Sequence, residues 1–371
     1  MKRKLLIIAI VVITLIFLSG IGLGYFYSRK SEGDDQIYSA FTAEIYEKIK
    51  NNYWEKITDE ELSRLFKMGA EKITGEIQVI EEKNKEGVKK LVEKIIKNKK
   101  EKEEITSRLS SIVLANLKPI GRSALYTEKK KEELVQRVNN IDSETGERKS
   151  TVNSKIVSYQ ESSQGILNPK VAYIKISRIS PTTFEEFKEE ASKIDIKGGE
   201  ELDSLVIDLR GNVGGSVDIL PYFLGPFIGN DQYAYELYSQ GEKIPFKTKT
   251  GWLNSLVRYK KVVILIDGET QSSAEVLASV LKKYNVGVLV GKVSRGWGTI
   301  EKVFSLENQI SLDKKYSLFL VHSLTLRQDG QPIEGRGVNP VISLNDEDWE
   351  KKLFSHFESE KLIEALKKVI N

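Results

Sequence analysis

The stretch from Lys260 to Glu301 limits most tightly what this chain can fold into. It opens with a continuous apolar run, Val262–Ile266, of the kind that forms a buried strand. A tight polar turn follows, then a helix, a second strand over Val286–Val290 and a glycine-rich loop. Ser272 falls where the turn feeds the helix, where a hydroxyl can be exposed among free backbone N–H groups. A serine in that position is either a helix cap or a nucleophile, and spacing alone leaves both readings open.

Strands and helices alternate on either side of that stretch. Val171–Ile176 and Leu205–Leu209 read as strands, as do Tyr233–Tyr238 and Leu318–Leu324. Thr182, with Glu185 three residues on, opens a helix carrying Phe184, Phe187, Ala191 and Ile194. The pattern predicts a layered α/β core over residues 170–345 and an amphipathic C-terminal helix or two over 346–371. Upstream, the period changes to that of helices. Phe41, Ile45 and Ile49 share a face, Thr58 and Glu61 form a capping box, and Val88, Leu91, Val92, Ile95 and Ile96 make a stripe. Residues 38–142 are therefore expected to be all-helical, with 143–169 as a polar linker.

The N-terminus adds a membrane expectation. Lys2, Arg3 and Lys4 precede an uncharged apolar run over residues 5–27, about 20 residues and enough to cross a ~30 Å hydrocarbon core. Basic residues ahead of the run keep the tip inside. Residues 1–30 then read as a cytoplasmic tip and transmembrane signal-anchor, with a cleaved signal peptide as the rival reading.

Composition excludes several chemistries. The chain of 371 residues has no cysteine and two histidines, His322 and His356. Thiolate nucleophiles, disulfides and zinc sites built on three histidines are thereby ruled out, and no metal or cofactor is expected. Its 57 basic and 53 acidic residues interleave to a net charge of +4, with no basic stripe for nucleic acid.

Two motifs carry chemistry. Asp208-Leu209-Arg210-Gly211-Asn212-Val213-Gly214-Gly215 runs a strand into a glycine turn, which could bind phosphate or hold the oxyanion of an acyl-transfer intermediate. It lacks the Lys-Ser/Thr pair of a P-loop. The second motif is Gln271-Ser272-Ser273-Ala274-Glu275, with small residues beside the serine. These motifs, followed by Gly291-Lys292-Val293-Ser294-Arg295-Gly296-Trp297-Gly298 and Gln331-Pro332-Ile333-Glu334-Gly335-Arg336-Gly337-Val338-Asn339-Pro340, resemble the S41 family of C-terminal processing, or tail-specific, proteases. The resemblance implies a ClpP/crotonase-like mixed-sheet α/β core. It further implies a serine peptidase tethered to the bacterial cell membrane, facing outward, and acting on the C-terminal tails of polypeptides. Position by position, it implies Ser272 as nucleophile, with the N–H groups of the Gly214–Gly215 turn and of Ser273 as oxyanion donors.

Two departures stand out. No PDZ-like segment is recognisable between the helical region and the core. The family's lysine base falls on Trp297, and the glutamine that positions it falls on Glu301. An indole N–H donates and does not accept, so Trp297 cannot take the serine's proton. Glu275, Glu301 and Lys292 are candidates for a base or orienting group, with Lys302 and His322 behind them. Otherwise the domain is an inactive peptide-binding or assembly scaffold, or Trp297 covers a site remodelled for another substrate.

Overall fold

The computed structural model describes residues 35–158, 170–198, 202–327 and 329–370. The expected membrane segment lies outside them. Among the described residues no helix is long and apolar enough to cross a membrane.

Helix α1 covers 35–52, followed by α2 (Asp59–Thr74), α3 (Lys85–Ile96), α4 (Lys102–Ala115), β1 (Ala124–Thr127) and α5 (Glu128–Val138). Next come β2 (Val152–Ser158), β3 (Lys170–Ile176), α6 (Thr183–Gly198), β4 (Ser204–Asp208), α7 (Leu220–Ile228), β5 (Tyr233–Ser239), β6 (Glu242–Lys247) and α8 (Asn254–Val257). The chain closes with β7 (Lys261–Ile266), α9 (Ser273–Lys283), β8 (Val288–Gly291), β9 (Thr299–Ser305), β10 (Tyr316–Thr325), β11 (Ile342–Ser343), α10 (Trp349–Phe357) and α11 (Glu360–Ile370).

Two compact units emerge. The first comprises the described residues through Glu128 together with Lys302–Leu320. Its core gathers Phe41, Ile45, Leu62, Phe66, Val92, Ile96 and Val113 from the helices. The helix start at Thr58 is the capping box expected: Glu61 N–H donates to Thr58 Oγ1 at 3.2 Å, and Thr58 N–H donates to Glu61 Oε2 at 2.9 Å. The region is not all-helical, however. Strand β1 pairs antiparallel with β10, Ala124 opposite Phe319, so Leu318 and Leu320 close a core that helices alone leave open.

The second unit comprises the described residues of Lys129–Glu301 and of Val321 onward. Its centre is a six-stranded sheet of order β11-β8-β7-β4-β3-β2, parallel throughout except for the β2–β3 pair. Parallel strands covered on both faces read as unbroken apolar runs, which is why β4 and β7 were legible in the sequence. One face carries Ile174, Ile207 and Ile264 against Phe187, Phe223 and Leu277 of α6, α7 and α9. The other carries Tyr173, Val206 and Leu265 against Leu353, Leu362 and Leu366 of α10 and α11. Part of the expected linker is thus strand: β2 pairs with β3 over seven positions, from Val152 opposite Ile176 to Ser158 opposite Lys170. As an edge strand it carries Asn153, Ser154 and Lys155, whose polarity disguised it.

Asp203 ties the C-terminal helix to the sheet, accepting Lys361 at 2.7 Å and Lys261 at 3.2 Å. Burial acts to raise its carboxyl pKa, but the bonds from Lys361, Ser204 and Lys261 outweigh burial and hold it down at about 2. A depressed carboxylate stabilises the fold above its unfolded value and loses that contribution as pH falls through the folded one. Between about pH 4 and about pH 2, the parent should therefore lose about 1 kcal/mol more stability in urea than Asp203→Asn, the partial exposure of the group setting the discount. Equal losses would remove this clamp from the account.

Candidate active site

The carboxyl ends of β4 and β7 lie side by side, with Asp208 opposite Leu265, and each delivers a loop to the same edge of the sheet. The Asp208 loop is pinned first. Asp208 is fully buried and accepts Tyr173 Oη at 2.6 Å, Arg210 Nη2 at 2.7 Å and Arg210 Nε at 3.0 Å. Burial works to raise its pKa, but the hydrogen bonds from Arg210 and Tyr173 prevail and leave it lowered.

Asn212, also fully buried, shapes the glycine turn. Its Nδ2 donates to the Ile176 carbonyl at 2.9 Å, and its Oδ1 accepts the Gly214 N–H at 2.8 Å. The β7 loop locks onto this turn. Asp267 Oδ1 accepts the N–H groups of Gly211, Glu269 and Thr270 at 2.9–3.0 Å. Gln271 N–H donates to the Asn212 carbonyl at 2.9 Å, and Thr270 Oγ1 donates to the Leu209 carbonyl at 2.9 Å. Two loops that begin 59 positions apart (Asp208 and Asp267) therefore form one hydrogen-bonded body.

Ser272 sits at its apex with φ +58° and ψ −130°. A non-glycine residue held there costs on the order of 1–3 kcal/mol and persists only when its surroundings impose it. They do. Gly214, at φ +79°, packs so tightly that a Cβ on it would come 2.7 Å from both Ser272 Cβ and the Gln271 carbonyl, and 3.0 Å from Ser273 N. Gly215, one peptide further on, has no room for a side chain against the Ile179 carbonyl.

The N–H groups can now be accounted for. Gly214 N–H is spent on Asn212, which removes it from the expected oxyanion set. The N–H groups of Gly215 and Ser273 have no partner among the described residues. Ser273 N–H opens helix α9, where aligned peptide dipoles favour negative charge. A part-exposed hydroxyl with two adjacent unpaired N–H groups can attack a carbonyl and hold the resulting oxyanion.

Glu275 behaves differently from a base. It is fully buried and its carboxylate accepts four donors: Ser294 Oγ at 2.5 Å, Gly296 N–H at 2.7 Å, Trp297 N–H at 2.8 Å and Ser272 N–H at 2.9 Å. Burial pushes its pKa up, and the bonds from Ser294, Gly296, Ser272 and Trp297 pull against that push without cancelling it. With its acceptor positions filled, Glu275 is a staple that fixes the 294–297 loop to the nucleophile turn. That loop is walled from behind by the segment 333–338. Val338 N–H donates to Ser294 Oγ at 2.7 Å, Gly335 N–H to the Gly296 carbonyl at 2.9 Å, and Glu334 Oε2 accepts Gly298 N–H at 2.8 Å.

No side chain of the described residues is hydrogen-bonded to Ser272 Oγ. Trp297 reaches the site through its backbone, sharing Glu275 Oε2 with Ser272, while its indole N–H makes a long 3.4 Å bond to Glu301 Oε1. Glu301 also accepts Thr299 Oγ1 at 2.5 Å. Lys292 and Lys302 are exposed. His322 is part-buried in β10, where its carbonyl accepts Ser239 Oγ at 2.8 Å. Of the site residues expected from the sequence, the structure gathers Ser272, Ser273, Gly214, Gly215, Glu275 and Trp297. Asn212, Asp267 and Ser294 were missed. Asp267, three residues before Thr270, carried a readable Asx-turn signal; the other two carried none.

Residues 170–344 match the model of Peptidase family S41. This segment belongs to that family. The S41 segment is similar to the carboxy-terminal processing protease CtpB of Bacillus subtilis (strain 168), at 28% identity over 181 residues, 48% of this chain and 35% of that protein. A carboxy-terminal-processing protease of Bartonella bacilliformis is 25% identical over 174 residues, 46% of this chain and 38% of that protein. The chain thus spans little more than a third of the length of these curated relatives. A solved photosystem II D1 C-terminal processing protease is similar at 18% identity over 54% of this chain and 50% of that one, with a TM-score of 0.45.

The staple can be tested directly. Glu275→Gln keeps the shape but in either orientation turns an NH₂ toward at least one N–H donor, and should lower unfolding stability by about 1–3 kcal/mol in urea. An unchanged midpoint would show that the four bonds do not hold the loop.

Proposed function

We propose that this protein is a serine peptidase of the S41 type that cleaves polypeptides near their C-terminal tails through an acyl-enzyme on Ser272. The observation that carries this reading is Ser272 itself, held at φ +58° beside the unpaired N–H groups of Gly215 and Ser273. Attack by Ser272 Oγ on a scissile carbonyl forms a tetrahedral oxyanion, which those two N–H groups receive. Collapse expels the amine and leaves the ester, and water then releases the acid. The apolar run over residues 5–27, behind Lys2, Arg3 and Lys4, supports placing the domain outside a bacterial cell membrane on a single-pass anchor.

Turnover is slow in this proposal. Trp297 stands where the resemblance puts the lysine base, and Ser272 must lose its proton without a side-chain acceptor bonded to it. The same observation favours a second reading, a non-catalytic polypeptide-binding protein on the S41 fold.

A fluorophosphonate probe separates the two. Covalent labelling of the folded protein, lost in Ser272→Ala, is the outcome the peptidase predicts. Folded protein that resists the probe would leave the binding reading. A second experiment restores the missing group: Trp297→Lys should raise the labelling rate by about 10²- to 10⁴-fold, the usual worth of a general base. No gain, with the stability intact, would show that position 297 is not where a base acts.

A further inference from the structure

The segment Ser177–Ser180 leaves β3 and passes directly beside the nucleophile turn. Ile179 N–H donates to the Gly214 carbonyl at 3.0 Å, and the Ile179 carbonyl accepts Ser216 N–H at 2.8 Å, which makes one rung of parallel pairing opposite Gly215. Ile179 is fully buried in the core beneath. In an extended segment, neighbouring side chains point to opposite sides, so Arg178 is turned away from that core, and it is part-buried.

The Arg178 guanidinium has no hydrogen-bond or ion-pair partner among the described residues; only its carbonyl is engaged, by Thr183 Oγ1 at 3.1 Å. Burial pushes its pKa down, and so does the charge of Arg137 on α5, itself exposed and without a partner among the described residues. Glu186, a carboxylate of the neighbouring helix, is already committed to Thr182 at 2.7 Å and to the Thr151 N–H at 2.6 Å. Arg178, beside the turn, thus lies within electrostatic range of a second guanidinium and has no anion paired with it among the described residues. A planar guanidinium with five donors is matched best by a carboxylate or phosphate. In a groove that receives polypeptide, the carboxylate is the available one.

We propose that Arg178, supported by Arg137, anchors a carboxylate of the polypeptide that lies against the Gly214–Ser216 turn, and so selects which bond reaches Ser272. The proposal rests on the polypeptide reading above. The carboxylate comes either from the chain terminus or from an aspartate or glutamate side chain. Both present the same two oxygens, and the experiment tells them apart.

Binding is measured on the Ser272→Ala protein, so no turnover is needed. The probes are fluorescein-labelled random decapeptide pools: one with a free C-terminus and no acidic residue, one C-terminally amidated and containing aspartate and glutamate, and one amidated without them. The anchor predicts that the first or second pool binds about 10- to 100-fold more weakly to Arg178→Gln, that Arg178→Lys recovers part of the loss, and that the third pool is weak and indifferent to the change. Dependence confined to the first pool assigns the chain terminus, and dependence in the second assigns the side chain. Thermal melts of both Arg178 variants confirm folding, and Arg137→Gln should weaken the same pool by a smaller factor. Equal affinity of parent and Arg178→Gln for all pools would overturn the anchor while leaving the groove. Failure of every pool to bind the parent would overturn the groove and the anchor together, and Ser272 labelling would then stand as a separate result.

Discussion

The buried carboxylate of Glu275 is the interaction on which the site depends. Its two oxygens gather four donors from two parts of the chain, the nucleophile turn at Ser272 and the loop at Ser294, Gly296 and Trp297. Taking a carboxylate out of water is costly, and the four donors reduce the cost of ionising Glu275 in place without cancelling it. Those bonds have a structural return. They hold Ser272 in a backbone conformation that it would not adopt alone, and they set Trp297 beside it. Asn212 and Asp267 repeat the device on the other side, each a buried or turn-forming polar side chain whose acceptors are filled by loop N–H groups.

This arrangement separates the positioning of Ser272 from its activation. The first is complete. A strained serine, a glycine turn with no space for side chains and two unpaired N–H groups meet at the carboxyl ends of parallel strands, where α/β sheets place their sites. In the function we propose, the second is not built in the usual manner, because an indole that can only donate stands where the resemblance puts a group that must accept. The Trp297 indole N–H turns instead to Glu301 Oε1, which also accepts Thr299 Oγ1.

Much of the fold was legible because burial on both faces leaves a plain trace. The runs at Val262–Ile266 and Leu205–Leu209 became β7 and β4, and the stripe from Val88 to Ile96 became the buried face of α3. Strand β2 was hidden by the polar residues that an exposed edge tolerates. The closing of the first unit by Lys302–Leu320 was hidden because nothing local records a pairing across nearly 200 positions of chain, Ala124 with Phe319. At the site, Ser272 was found from its place between turn and helix. Glu275, a candidate base from its place one helical turn beyond Ser272, instead accepts the Ser272 N–H, as Ser-x-x-Glu capping-box spacing allows, and the Gly296 and Trp297 N–H groups, which no spacing rule reveals.

In the function we propose, Ser272 is a positioned nucleophile without a resident base. The pH dependence of its reaction with a fluorophosphonate tests this most directly. If no side chain accepts the proton, the rate constant follows hydroxide and climbs about tenfold per pH unit, without inflection, across neutral and mildly alkaline pH. A curve that levels off through a pKa near neutrality would reveal a titrating base at Ser272 and contradict the account.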